Sequence, residues 1–178
     1  MTMTKELSRA GTTVETNMLA RGSVNRRDIW PSKEEAYRLF KSRGAWKVWD
    51  DRVLRIFVEY GLRSLPSLEY PDQNEGVTLK CTRKQETASL PNLAHSSNFR
   101  TFAERVPIHL VYGTAEGFPT EEIKEDVVNN AIGGEQNLAS YQRIPNAGHL
   151  APQTHPTGVA QAIYKALTGQ ASSKSAKL

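Results

Sequence analysis

The chain has 178 residues, of which 38% are hydrophobic and 24% are charged, and this composition predicts one compact soluble unit. The net charge is +4, but the basic residues are spread along the chain without interleaved aromatic residues, which argues against a nucleic-acid-binding surface. Cys81 is the only cysteine, so an internal disulfide is excluded and a reducing compartment is favoured. We find neither a secretion signal nor an apolar stretch long enough to span a bilayer.

Residues 1–24 are rich in Thr, Ser and Gly and have no periodicity, so we expect a flexible N-terminal arm. A helical region is predicted over residues 25–66. Within it, Ser32 and Glu35 have the spacing of a capping box for a helix that starts at Lys33.

A second helix is predicted from about Asp50, and Gly61 ends it. Its apolar positions form one broad stripe along the helix. The stripe consists of Val53, Leu54, Phe57, Val58 and Tyr60.

Four large aromatic residues of this helical region are candidates for an apolar substrate wall. They are Trp30, Trp46, Trp49 and Phe57. Aromatic residues on paired helices line ligand pockets in some proteins, but more often they are core residues. Both interpretations stay open.

Residues 67–169 have the alternating pattern of an α/β domain. The loop over residues 66–76 precedes an alternating segment, 77–82, that is typical of a strand. After it, strand, helix, strand and helix patterns follow in turn and predict a parallel sheet. Their predicted ranges are 106–112, 121–131, 140–144 and 157–168. In the last helix, five residues share one face: Val159, Ala160, Ile163, Tyr164 and Leu167.

Two chemically useful side chains follow successive strands of this pattern. Glu116 comes after the strand that Gly113 ends, and His149 lies on a glycine-containing turn after the next strand. Functional loops of parallel sheets gather at the carboxyl ends of their strands, and an imidazole there acts as a base near neutral pH. Glu86, which follows the preceding strand, is the alternative acid.

Other reactive side chains carry weaker arguments. Cys81 lies in the predicted strand and is interpreted as a small buried residue, not as a nucleophile. No metal site and no cofactor are predicted, because no histidine pair has metal-ligand spacing; the other histidines are His95, His109 and His155. A basic cluster of Arg21, Arg26 and Arg27 could bind an anionic carrier, but such residues are usually solvated.

The polar tail, residues 170–178, ends in Ala176-Lys177-Leu178, which is similar to the Ser-Lys-Leu peroxisomal address. This ending predicts a peroxisomal location and binding to the peroxisomal import receptor. A solvated tail on a cytoplasmic protein is the alternative.

Four segments carry a resemblance to a known family, the α/β-hydrolases of fungi. They are Arg26-Arg27-Asp28-Ile29-Trp30-Pro31-Ser32, Val77-Thr78-Leu79-Lys80-Cys81, Val111-Tyr112-Gly113-Thr114 and Gly148-His149. Over residues 20–168 the chain resembles the C-terminal part of peroxisomal lipase-like hydrolases and of hydrolases of toxin biosynthesis. The resemblance implies a partial α/β-hydrolase fold, with a helical cap followed by the last parallel strands and helices of the core.

The resemblance also implies catalytic roles. A serine attacks the acyl carbon in this family, His149 would be its base, and Glu116 would orient the imidazole. Most members have an aspartate at the position of Glu116. The chain contains no Gly-x-Ser-x-Gly nucleophile elbow, so we expect a truncated form of the fold, and whether it is an enzyme stays open.

Three functions are consistent with these observations. The first is hydrolysis of an ester, thioester or epoxide of a lipid-like or polyketide-derived acid, in fungal toxin or secondary-metabolite biosynthesis. The second is an inactive truncated remnant, or a binding partner of a full-length hydrolase, which would self-associate through an exposed sheet edge. The third is an enzyme in which histidine and acid activate water without an acyl-enzyme.

Overall fold

The structure is a computed structural model that describes residues 22–89 and 99–170. These residues form two compact units, one within each described range. The length and composition of the chain, in contrast, predict a single compact unit. The predicted targeting residues Ala176, Lys177 and Leu178 lie outside the described residues, as do Arg21 and His95. None of the described helices combines the length and the apolar character needed to cross a bilayer.

The first unit contains the two predicted helices. Helix α1 is Lys33–Ser42, and the Ser32 side chain accepts a hydrogen bond from the amide of Glu35, which confirms the predicted cap. A 3₁₀ turn, Gly44–Val48, leads to helix α2, Asp51–Gly61, which Asp50 caps by accepting from the amide of Arg52. These ends match the prediction because capping is decided by residues within one turn.

The apolar stripe of α2 is only partly buried. Leu54 and Val58 are in the core, whereas the Tyr60 side chain is 68% exposed. Of the five residues of the stripe, Tyr60 is the exposed one. Tyr60 lies in the last turn of α2, C-terminal to Phe57, which packs against the core.

A small antiparallel sheet completes the first unit, with strand order β1–β3–β2. Its strands are β1 (Ile29–Trp30), β2 (Leu62–Ser64) and β3 (Val77–Leu79), and helix α3 (Arg83–Ser89) follows. The predicted strand 77–82 is thus shorter than expected, and it pairs within the cap-like unit instead of the parallel sheet. Cys81 lies beyond β3 and is exposed, so the interpretation as a buried mid-strand cysteine is wrong.

The second unit is built around two parallel strands, β4 (His109–Gly113) and β5 (Ser140–Ile144). Strand β4 begins three residues later than predicted, because Val106 to Ile108 lie outside the ladder. The crossover consists of α5 (Glu121–Asp126), a π-helical turn (Val127–Ala131) and a 3₁₀ turn (Glu135–Asn137). The short helix α4 (Phe99–Ala103) precedes β4. Strand, crossover helix and parallel strand follow each other as the sequence predicts.

Two helices follow β5, namely α6 (Ala151–Thr154) and α7 (Pro156–Leu167). Small residues of α7 face β5: Ala162 is buried, and a Cβ at Gly158 would come within 2.9 Å of Ile144 Cγ2. On the apolar face of α7, Ile163, Tyr164 and Leu167 are 52%, 62% and 82% exposed. Ala160 is exposed as well, and Val159 is half-buried.

Candidate active site

The loops that follow β4 and β5 are hydrogen-bonded to each other. The amide of Thr114 donates to the carbonyl of Ile144 at 3.0 Å, and the amide of Ala115 donates to that of Ala147 at 3.0 Å. The amide of Asn146 donates to Thr114 Oγ1 at 2.9 Å. These bonds hold together the loop that carries Glu116 and the loop that carries His149.

Gly113 permits this close approach of the two loops. A Cβ at position 113 would lie 1.8 Å from the carbonyl oxygen of Ala147, which no side chain can occupy. Asn146 has a φ of 59°, a left-handed conformation that asparagine tolerates better than most residues. The Gly-Thr and Asn-Ala-Gly-His segments therefore have a direct local reason for their composition.

A cleft of about 360 Å³ opens at the carboxyl ends of the two strands, within the second unit. Its walls are mostly apolar and include Val111, Phe118, Pro119 and Val159, and His149 is also a lining residue. The His149 side chain is exposed, and its ring packs edge-on against Phe118 at a centroid distance of 5.9 Å. The imidazole thus lies beside an apolar cleft and is open to solvent.

Glu116 is exposed in the loop after β4. Among the described residues no hydrogen bond joins its carboxylate to His149. In unliganded enzymes catalytic hydrogen bonds are often long and tighten only when substrate binds. Glu116 therefore stays a candidate acid, because its loop is hydrogen-bonded to the loop of His149. The alternative acid Glu86 is engaged elsewhere, because it forms a two-point ion pair with Arg26 in which Nη1 and Oε1 are 3.0 Å apart.

The arginine cluster has structural partners in the first unit. Arg26 binds Glu86, and Arg27 Nε donates to the carbonyl of Ile29 at 2.9 Å. Asp28, the next residue, is buried and forms an ion pair with Arg83 at 2.8 Å. These contacts give Arg26 and Arg27 local structural roles, and Arg27 remains exposed.

The four aromatic candidates form one packed cluster in the first unit. Trp30 is 3% exposed and lies in the core, and Trp46, Trp49 and Phe57 are partly buried against it. Ring centroids are 4.4 Å apart for Trp46 and Trp49 and 4.8 Å apart for Trp46 and Phe57. The observed role of these rings is therefore to pack against each other.

Lys124 is a lining residue of the cleft that sequence reasoning missed. Its side chain is buried, and its ammonium donates to the carbonyl of Gly113 at 3.1 Å and to Glu121 at 3.3 Å. Arg143 also binds Glu121, and this interaction lowers the pKa of the Glu121 carboxyl. Burial raises the pKa of the Tyr112 hydroxyl, another lining residue. The one-turn spacing of Glu121 and Lys124 was a signal for their ion pair but not for the burial of Lys124.

No group of three or more His, Cys, Asp or Glu side chains that could hold a metal ion occurs within residues 22–89 and 99–170. His109 Nδ1 lies 2.8 Å from the Ser140 hydroxyl, and His155 Nδ1 lies 2.9 Å from the Thr154 hydroxyl.

Comparison with known proteins gives a structural match. No protein-family model matches the sequence, and no curated protein does. The structure is similar to the peroxisomal α/β-hydrolase Lpx1 from Saccharomyces cerevisiae, with a TM-score of 0.59 and 12% sequence identity. The match covers 90% of this chain and 42% of that chain, so the protein spans less than half the length of this structural neighbour. The prediction of a partial α/β-hydrolase fold is confirmed, because the chain has part of the fold of the α/β-hydrolases.

Proposed function

We propose that this chain carries the base and the orienting acid of an α/β-hydrolase site that acts on an ester, thioester or epoxide. One observation carries the proposal: His149 lines an apolar cleft at the carboxyl ends of two parallel strands whose loops are hydrogen-bonded to each other. Glu116, in the facing loop, is the proposed acid.

In this proposal His149 takes a proton from the nucleophile that attacks the substrate, and Glu116 stabilises the resulting imidazolium. The described lining residues of the cleft include neither serine nor cysteine. The nucleophile is therefore water, or a hydroxyl from a segment that is not part of the described cleft. In the first case no acyl-enzyme forms, and single-turnover labelling separates the two cases.

The proposed substrate is a lipid-like or polyketide-derived acid derivative, because the cleft walls are mostly apolar. Within the first unit, Trp46, Trp49 and Phe57 are partly buried and keep some exposed surface, whereas Trp30 is buried in the core. A role in fungal toxin or secondary-metabolite biosynthesis rests on the sequence resemblance alone.

We also propose a peroxisomal location, with Ala176-Lys177-Leu178 read by the import receptor. Two observations support it: the form of the C-terminus and the peroxisomal origin of the structural neighbour. A fluorescent fusion that exposes the native C-terminus, compared with one that lacks the last three residues, tests the proposal. Identical cytoplasmic distributions of the two fusions would contradict it.

The hydrolase proposal is tested with short and medium acyl p-nitrophenyl esters. We expect turnover by the wild type that His149→Ala lowers roughly 10²- to 10⁴-fold, which is the usual effect of losing a general base. His155→Ala is the matched control, because His155 does not line the cleft. A folded wild-type protein with no turnover that depends on His149 would rule out the enzyme.

A second candidate function is that of a non-catalytic remnant or a binding partner of a full-length hydrolase. The exposed apolar side chains on α7 favour it: Ile163, Tyr164 and Leu167. The expected result is concentration-dependent self-association in light scattering, which Leu167→Lys weakens. A protein that is monomeric at every concentration would count against this candidate.

A further inference from the structure

Lys124 is a buried basic residue among the lining residues of an apolar cleft. The residue is 4% exposed, and both it and its hydrogen-bond partner Gly113 are lining residues. A buried lysine is unusual because removing an ammonium from water is unfavourable unless the charge is paired. The partners of Lys124 therefore decide what the cleft can bind.

The only carboxylate that pairs with Lys124 among the described residues is shared with a second cation. Glu121 accepts from Arg143 Nη2 at 2.8 Å and from Lys124 Nζ at 3.3 Å. The Glu121 side chain is 46% exposed, so water weakens its attraction for the buried ammonium. Because two cations share one carboxylate, the cluster keeps an excess positive charge.

The ammonium also has donor capacity to spare. It carries three N–H groups, and in the described part of the chain it donates to two acceptors, the Gly113 carbonyl and Glu121. Among the lining residues, Lys124 and His149 are the ionisable side chains apart from the Tyr112 hydroxyl, and no carboxylate lines the cleft. The remaining donor and the excess charge favour an anionic ligand group.

We infer that this cleft binds a carboxylic acid with a medium-length apolar chain, and that Lys124 binds its carboxylate. Apolar walls provide the surface for the chain, and a volume of about 360 Å³ is at the small end of ligand pockets. The inference rests on the proposed function in one respect, because the free acid is the product of ester or thioester hydrolysis in the same cleft. Lys124 is here a binding residue and takes no part in proton transfer.

Isothermal titration of the full chain with octanoate, and with 1-octanol as the uncharged control, tests the inference. We expect octanoate to bind and 1-octanol to bind roughly ten- to a hundredfold more weakly, since a hydrogen bond to a charged group is lost. Lys124→Met keeps the aliphatic stem and should lower octanoate affinity to the level of 1-octanol. Equal binding of the two ligands, or no octanoate binding, would overturn the inference.

A second variant covers the case in which Lys124→Met does not fold. Glu121→Gln changes an exposed side chain and leaves Lys124 without its acidic partner, so octanoate should bind severalfold more tightly. Unchanged or weaker octanoate binding in Glu121→Gln would contradict the role of Lys124. The titration involves no turnover, so its outcome is separate from that of the His149→Ala experiment.

Discussion

The amide of Asn146 donates a hydrogen bond of 2.9 Å to Thr114 Oγ1 and so joins the loop after β5 to the loop after β4. His149 lies three residues beyond Asn146, and Glu116 lies two residues beyond Thr114. The relative position of the proposed base and acid therefore depends on an interaction that neither of them makes.

Thr114→Val removes this acceptor and keeps the shape of the side chain. We expect the free energy of unfolding to fall by about 0.5 to 1 kcal/mol, the lower part of the range for one hydrogen bond because this one is exposed. Urea unfolding measures the change. Thr114→Ser keeps the hydroxyl and should have nearly wild-type stability, and a Thr114→Val variant as stable as the wild type would contradict the prediction.

Gly113→Ala tests the close approach of the two loops. The new Cβ would lie 1.8 Å from the carbonyl oxygen of Ala147, so the loops must move apart, at a cost of about 3 kcal/mol in unfolding free energy. Gly148→Ala is the matched control, because no atom lies within 4 Å of a Cβ there. Similar stabilities of the two variants in thermal or urea unfolding would mean that the loops are not held as described.

Arg83→Met tests the buried carboxylate of the first unit. Arg83 pairs with Asp28 at 2.8 Å, and Tyr70 donates to the same carboxylate at 2.5 Å. Losing Arg83 should lower the unfolding free energy by about 2 to 3 kcal/mol, less than for a fully buried pair because Tyr70 remains and Arg83 is one-third exposed. Lys84→Met breaks the exposed pair with Glu69 and should leave the urea midpoint unchanged. A midpoint for Arg83→Met equal to that of Lys84→Met would refute the prediction.

Asp50 predicts an acid-dependent loss of stability. A hydrogen bond from the Arg52 side chain lowers the pKa of the Asp50 carboxyl from 3.8 to about 2 in the folded protein. A carboxyl with a lowered folded-state pKa stabilises the fold above its unfolded pKa, and this contribution is lost as the pH falls from about 4 to 2. Asp50→Asn keeps a cap acceptor but does not titrate, so its unfolding midpoint should fall less than that of the wild type between pH 4 and pH 2. Parallel pH profiles would contradict the prediction.

The sequence predicted those elements whose causes are local. Helix α1 and its Ser32 cap, and the start of α2 after Asp50, follow from side chains within one turn of the helix ends. The parallel pair β4–β5 follows from the alternation of strand and helix patterns. His149 could be placed in a loop after the carboxyl end of a strand, because strand and helix patterns alternate up to it.

Tertiary context decided the features that the sequence could not predict. The periodicity of α7 marks Ile163, Tyr164 and Leu167 as one face, but it cannot show whether another element covers that face. Alternation over residues 77–82 indicates a strand without naming its partners, so the pairing of β3 within the first unit and the exposure of Cys81 were missed. Lys124 is buried by the strand end and crossover around it, which no local pattern records.

The parallel pairing of β4 with β5 has a consequence for the order of folding. The first register pair, His109 with Ser140, joins residues separated by the whole crossover, so closing the ladder orders that long segment at once. Contacts of such sequence separation form slowly compared with those of a helix and its caps. The hydrogen bond of Thr114 to Ile144, which joins the two site loops, spans the same crossover, so a proteolytic cut within the crossover of the unfolded chain would separate Glu116 from His149 permanently.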